Sequence, residues 1–163
     1  MYSHKGITYR SATLADVVGL TLFFENIAKE NELLDTAPPD IPRIAETIRE
    51  VIKENRGVAI LALNKDDIIV GAIVLGYITL WWSESGFFNN AAFYVAPAWR
   101  RGYNIQMKLI EVSKDFADST NTPLLIDIFD LKEGRSAKLA RFLSFKGFKN
   151  IGFKTLYLPT KKE

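Results

Sequence analysis

The order of apolar runs and chain breakers predicts an α+β (mixed α/β) domain: a single twisted, mostly antiparallel sheet with helices on both faces. Two observations carry that expectation. Segments with helical spacing and short β-rich segments follow one another as βαα, then three strands, then αβαβ. The three central strands are joined by short polar turns, as antiparallel neighbours are, whereas the later strands are separated by helical segments. With 163 residues and 48% apolar side chains, the chain fits one domain, 1–163, with a sizeable core.

Ile7 to Ser11 alternates like a short strand. Thr13-Leu14-Ala15-Asp16 fits a capping box, and Leu14, Val17, Val18, Thr21, Leu22 and Phe24 keep helical spacing to about Asn31. Pro38-Pro39 breaks the chain, and Asp40 caps a second helix whose buried stripe is Ile44, Ile48, Val51 and Ile52. Asn55-Arg56-Gly57 ends it. Strands over Val58–Leu63 and Ile68–Trp82 flank the polar turn Asn64–Asp67, and Ser83–Gly86 leads into a strand over Phe88–Val95. Pro97 stops that strand. A helix over Tyr103–Asp118 places Ile105, Leu109, Val112 and Phe116 on one face. A strand over Pro123–Phe129, a helix over Ser136–Lys146 with Leu139, Phe142 and Leu143 inward, and a last strand over Ile151–Leu158 complete the order.

Composition narrows the function classes. The net charge is +2, too balanced to drive binding to nucleic acid. Cysteine is absent, which removes disulfides, thiolate metal sites and a cysteine nucleophile. The lone His4 precedes the first strand and is expected in solvent, so no metal site is expected. Met1 to Lys5 lacks the apolar stretch of a signal peptide. The uncharged run Ile68–Trp82 falls short of the ~20 apolar residues that a membrane-spanning helix needs. The expectation is a cytoplasmic protein with no membrane partner.

The segment that carries chemistry runs from Phe93 to Ile110. It is a strand, a proline stop, Arg100-Arg101-Gly102, and the start of an amphipathic helix. A turn of this kind aims unpaired N–H groups at one point, the helix dipole adds positive potential, and the arginines add charge. Together they suit a phosphate or pyrophosphate. The plain alternative is a strand-to-helix connection with solvated arginines.

Here the chain resembles the GNAT superfamily of acyl-CoA-dependent N-acetyltransferases. The family's signature is a strand ending Val-x-Pro, then Arg/Gln-x-x-Gly-x-Gly/Ala opening a helix. Val95-Ala96-Pro97, Leu109-Ile110 and Gly147-Phe148 match parts of this pattern. The helix pattern aligns Arg101 with the signature Arg/Gln and puts Asn104 and Gln106 at the small positions; alignment on Pro97 would use Arg100, Tyr103 and Ile105 instead. The first register is preferred, because Asn tolerates the left-handed backbone that glycine usually supplies and Ile105 stays in the core. The resemblance implies an acyl-CoA N-acyltransferase-type fold with acetyl-CoA as co-substrate. It also implies a binding segment comprising Phe93, Tyr94, Val95, Arg100, Arg101, Gly102, Tyr103, Asn104, Ile105 and Gln106. Main-chain groups of Phe93, Tyr94 and Val95 would meet the pantetheine where strands 89–95 and 124–128 part.

Acyl transfer to an amine needs a base for the ammonium proton, donors for the oxyanion, and an acid for the leaving thiolate. The tyrosine that many family members use as acid falls at Leu143 here. Either the thiolate leaves without protein help or Tyr94 substitutes, with Ser144 a far weaker acid. Asp127, which interrupts the apolar run Leu124–Ile128, and Glu25, with Glu30 and Glu32 nearby, are the carboxylate candidates. Each carboxylate on the first helix also fits an ordinary solvated face. Trp81-Trp82 and Phe87-Phe88 read as packing, as an aromatic wall for the acceptor, or as a homodimer surface. Three functions follow: an N-acetyltransferase acting on a small-molecule amine or an amino-terminal group, a CoA-binding relative without catalysis, and an unrelated domain whose arginines hold another phosphorylated ligand.

Overall fold

A computed structural model describes residues 2–30, 38–54, 56–101, 104–127 and 141–149. The chain divides into two compact units, Met1–Asp127 and Ile128–Glu163. In the first unit the elements are β1 (Tyr2–His4), β2 (Ile7–Ser11), α1 (Val17–Glu30), α2 (Ile41–Lys53), β3 (Gly57–Leu63), β4 (Ile69–Thr79), β5 (Gly86–Val95), α3 (Ile105–Ser119) and β6 (Leu124–Leu125). They form one six-stranded sheet in the order β1-β2-β3-β4-β5-β6. All pairings are antiparallel except β5 with β6.

The expected α+β sheet with helices on both faces is what the chain adopts. Alternation along β3 and β4 sends Ile60, Ala62, Ile73 and Leu75 to one side, where Ile105, Leu109 and Ala117 of α3 cover them. Ala59, Leu61, Ala72 and Val74 point to the other side, beneath Val17, Leu20 and Phe24 of α1 and Ile48 and Val51 of α2. Burial on both faces explains why β4 reads as a continuous apolar run.

Local chemistry sets the boundaries. Lys5 and Gly6 both have positive φ, 51° and 75°, as a two-residue hairpin requires. They create β1, a strand the sequence reading missed, and place His4 half-buried within it rather than in solvent. The Asn64 carboxamide accepts from the amides of Asp66 and Ile68, both at 2.9 Å, and fixes the β3–β4 turn. Asp40 accepts from the Arg43 amide at 3.0 Å and caps α2 as expected. Gly57 is required where it stands, since a Cβ would lie 1.8 Å from the Leu75 carbonyl oxygen.

Three expectations shift. A 3-10 turn over Leu14–Asp16 precedes α1 and rephases it. The buried stripe is therefore Val17, Leu20, Thr21 and Phe24, while Leu14, Val18 and Leu22 face solvent. Ser83 bonds back to the Leu80 carbonyl at 3.0 Å, so β4 ends at Thr79 and Trp81-Trp82 occupies the reversal rather than the strand. Asn104 has left-handed φ and ψ, 54° and 28°, so α3 starts at Ile105 and not at Tyr103. In the second unit, residues 141–145 are helical. Gly147, at φ 87°, donates to the Ser144 carbonyl at 3.1 Å, and Phe148 donates to that of Leu143 at 3.0 Å. This is a Schellman end, the physical role of the Gly147-Phe148 pair. Leu139 and the expected strand 151–158 lie outside the described residues.

Two stability predictions follow from this packing. The Asp16 carboxylate takes a two-pronged bond from Arg10, both contacts at 2.8 Å, and one from the Thr13 amide at 2.7 Å. Arg10 above all holds its pKa below the usual range. A depressed carboxylate pKa stabilises the fold above the unfolded value of about 3.9 and loses that contribution as pH falls. The stability gap between wild type and Asp16→Asn, from urea titrations, should therefore close between about pH 5 and pH 2. The Tyr9 hydroxyl is buried without a hydrogen-bond partner among the described residues, and burial pushes its pKa up to about 12. An orphaned polar group costs ~1–3 kcal/mol, so Tyr9→Phe should hold or raise the melting temperature. A clear drop would show that the hydroxyl is satisfied in solution.

Candidate functional site

The C-terminal end of β5 and the first turn of α3 meet where the sequence placed the chemistry. Pro97–Trp99 forms a 3-10 turn after β5, and Asn104 then swings the chain into α3 through its left-handed conformation. This is the backbone geometry that the register anchored on Arg101 asks of Asn104. Ile105 is buried, also as that register requires, and Gln106 is exposed. The first helical bond visible from the cap is Lys108 N–H to the Asn104 carbonyl at 3.0 Å. The amides of Ile105, Gln106 and Met107 precede it and have no intrahelical acceptor. Asn104 makes no side-chain cap, and the first turn holds no acidic residue. Among the described residues no side-chain cap meets the positive end of α3, a geometry that suits an anion. Gly71 of β4 seats this end of the helix: a Cβ there would stand 2.7 Å from Ile105 Cγ2 and 3.3 Å from Leu109 Cδ1.

The main chain of β5 can be assigned edge by edge. Ala96 N–H donates to the Val70 carbonyl at 3.0 Å, which makes Val95↔Gly71 a non-hydrogen-bonded pair. By alternation, Phe93 and Val95 turn their N–H and C=O groups away from β4, whereas Tyr94 directs its own toward Ala72. Of the three residues expected to offer main-chain groups to a ligand, Tyr94 is therefore committed to the sheet. The Val95 carbonyl is also taken, by Arg100 Nε at 2.8 Å. On the other edge, among the described residues β6 pairs with β5 only at Phe88↔Leu124 and Asn89↔Leu125. Between those pairs and Phe93, a bulge at Val74/Leu75 leaves Ala91 without a register partner in β4.

The two arginines part company. Arg100 folds back from the turn: besides Val95, its guanidinium meets Glu30 at 2.7 Å and stacks 5.4 Å above the Tyr94 ring. Glu30, at the end of α1, accepts the Tyr94 hydroxyl through its other oxygen. Burial, reinforced by the Glu30 carboxylate, pushes the Tyr94 phenol up to about 12, so at neutral pH its proton stays in place. Arg101 is exposed, with no hydrogen-bond or ion-pair partner among the described residues. Gly102, Tyr103 and Glu32 lie outside the described residues.

Among the carboxylates, Asp127 is half-buried at the end of the β5–β6 pairing and accepts from Asn89 Nδ2 at 3.1 Å. Glu25 is half-buried on α1, one and a half turns before Glu30. The carboxylate that reaches Tyr94 is Glu30's. Nothing in helical spacing singled Glu30 out, because its partners come from β5 and the turn after it. Trp81 and Trp82 are 91% and 64% exposed, with rings 5.2 Å apart at 87°. They sit in the reversal before β5, about 30 Å from Val95 at the rise of a strand.

Neither a family model nor a curated protein matches the sequence. Solved structures do. A possible acetyltransferase from Clostridium difficile 630 aligns with a TM-score of 0.66 at 21% identity, over 96% of this chain and 99% of that one. The aminoglycoside acetyltransferase meta-AAC0020, from an uncultured soil metagenomic sample and solved with trehalose, aligns with a TM-score of 0.67 at 17% identity, over 96% and 97%. A Trypanosoma brucei acetyltransferase gives 0.65 at 15% identity, over 94% and 99%. At these identities the shared property is the fold.

The seat of α3 on Gly71 can be checked directly. Gly71→Ala should cost ~1–3 kcal/mol through overpacking against Ile105 and Leu109. Gly76→Ala in the same strand, where a Cβ meets nothing within 4 Å, should stay within about 0.5 kcal/mol of wild type. Equal effects in denaturant titrations would contradict the close approach.

Proposed function

We propose that this chain, which has the GNAT-superfamily fold, is an N-acetyltransferase that moves an acetyl group from acetyl-CoA to a primary amine of a small molecule or an amino-terminal group. The observation that carries the reading is the first turn of α3, which Asn104 does not cap, beside an edge of β5 that no strand pairs among the described residues. The amides of Ile105, Gln106 and Met107 and the Arg101 guanidinium suit a diphosphate. Phe93 N–H and C=O and Val95 N–H, turned from β4, suit an extended amide-bearing arm laid along the strand. That arm would carry the thioester toward Asp127.

The chemistry asked of the chain is modest. The attacking amine must be neutral, so a carboxylate takes its proton, directly or through water. Asp127 is the base in this reading, by its place where β5 and β6 part, and Glu25 on α1 is the second candidate. A C–N bond forms as the carbonyl becomes an oxyanion, and the C–S bond breaks as it collapses. Tyr94 is a poor acid for the departing thiolate, because its proton is held by Glu30. Leu143 occupies the alternative position. The thiolate then leaves unprotonated, as its low basicity permits.

Those same two facts favour a second reading, a CoA-binding protein without catalysis. A thermal-shift assay with CoA, followed by an amine panel with acetyl-CoA and a thiol-release readout, separates the readings. Ligand at a hundredfold over Kd should add about 2.7 kcal/mol of stability. Stabilisation without turnover supports the second reading, and no stabilisation at saturating CoA defeats both. Arg101→Ala should weaken CoA binding roughly three- to tenfold; unchanged affinity in calorimetry would sink the register that assigns Arg101 to the diphosphate.

A further inference from the structure

Among the described residues, the pairing of β5 with β6 ends at Asn89↔Leu125, and the next link between them is made by a side chain. Phe88 N–H donates to the Pro123 carbonyl at 2.8 Å, which sets the phase of this parallel ladder. Continued one step, the ladder would send Asp127 N–H to the main-chain carbonyl of Asn90; beyond that, the bulge turns the next amide, that of Ala92, toward Val74. Among the described residues no main-chain bond joins Asp127 to β5. Asp127 N–H instead donates to Asn90 Oδ1 at 2.6 Å, and Asn90 Nδ2 donates to the Asp127 carbonyl at 3.2 Å. One side-chain carboxamide thus stands in for a peptide group, satisfying both groups of Asp127 while adding its own length between the strands. Asn90 is buried, at 6% exposure, so these bonds face little competition from water. Asn89 adds to the same substitution, with Nδ2 bonded to the Asp127 carboxylate at 3.1 Å. An apolar residue at position 90 could not do this, since it would leave the Asp127 amide and carbonyl either buried unpaired or drawn back onto the backbone.

We propose that Asn90 is a positioning residue: its carboxamide is the wedge that holds Asp127 a side chain's length from the β5 backbone just past Asn89↔Leu125, and so keeps the edge of Phe93 and Val95 clear for the pantetheine arm of the coenzyme. The inference rests on the reading of the chain as a CoA-dependent enzyme. It assigns nothing new to the diphosphate end, where the amides of α3 act independently of Asn90. Removing the wedge should therefore affect the two halves of the ligand differently.

Calorimetry with two probes tests this. CoA contains the pantetheine arm, and adenosine 3′,5′-diphosphate lacks it. In Asn90→Ala, affinity for CoA should fall roughly tenfold while affinity for adenosine 3′,5′-diphosphate stays within about twofold of wild type. Should the alanine variant fail to fold, Asn90→Ser keeps a short hydroxyl that can accept from Asp127 N–H and removes the amide donor without adding charge. It should show the same split at smaller size. Unchanged CoA affinity, or an equal loss for both probes, would overturn the wedge. A wild-type protein that binds neither probe would overturn the coenzyme reading itself, an outcome distinct from a lost split.

Discussion

A sheet strand must find partners for its main-chain N–H and C=O groups on both edges, and β5 is where the way of meeting that demand changes along its length. At its start β5 is paired on both sides, to β4 and to β6. At Asn90 the second partner is a side chain. Beyond the bulge, Phe93 and Val95 turn their groups away from β4, and among the described residues only the Val95 carbonyl is claimed, by Arg100. The first turn of α3, which Asn104 does not cap, adjoins this row of main-chain groups. A buried polar backbone without partners is costly, so these groups need partners from outside the ladder with β4.

Charge is arranged around that row with a division of labour. Arg100 is spent on contacts within the protein surface, tying the end of α1 to β5 through Glu30, Tyr94 and Val95. Such a three-way tie fixes the turn that aims α3, even though an exposed ion pair by itself is worth little. Arg101 points its charge outward. Neighbouring arginines in sequence thus serve opposite purposes, one for position and one for potential. Gly71 completes the arrangement from beneath, since only a residue without a Cβ lets Ile105 approach β4 so closely.

Much of the architecture was legible. Asp40 as a cap, the polar turn at Asn64–Asp67, the stripe of Ile48 and Val51, and the break at Pro97 each act through residues within a few positions of one another. The Asn104 backbone was legible too, because a left-handed residue before a helix narrows the choice to very few side chains. The stripe of α1 was misphased by a 3-10 turn held by Arg10, whose partner Asp16 is six positions away. The first strand was missed because its turn, Lys5-Gly6, has only one of the usual turn residues.

Sequence by itself determined the order of elements and their approximate ends, because spacing, capping and turn chemistry are local. Tertiary structure alone decided which arginine is tied to α1, that Glu30 rather than Glu25 meets Tyr94, and that the Asn90 side chain meets the main chain of Asp127. Those pairs are separated by 64 and 37 positions, and no periodicity spans such a distance. Their geometry exists only once the sheet has closed around them.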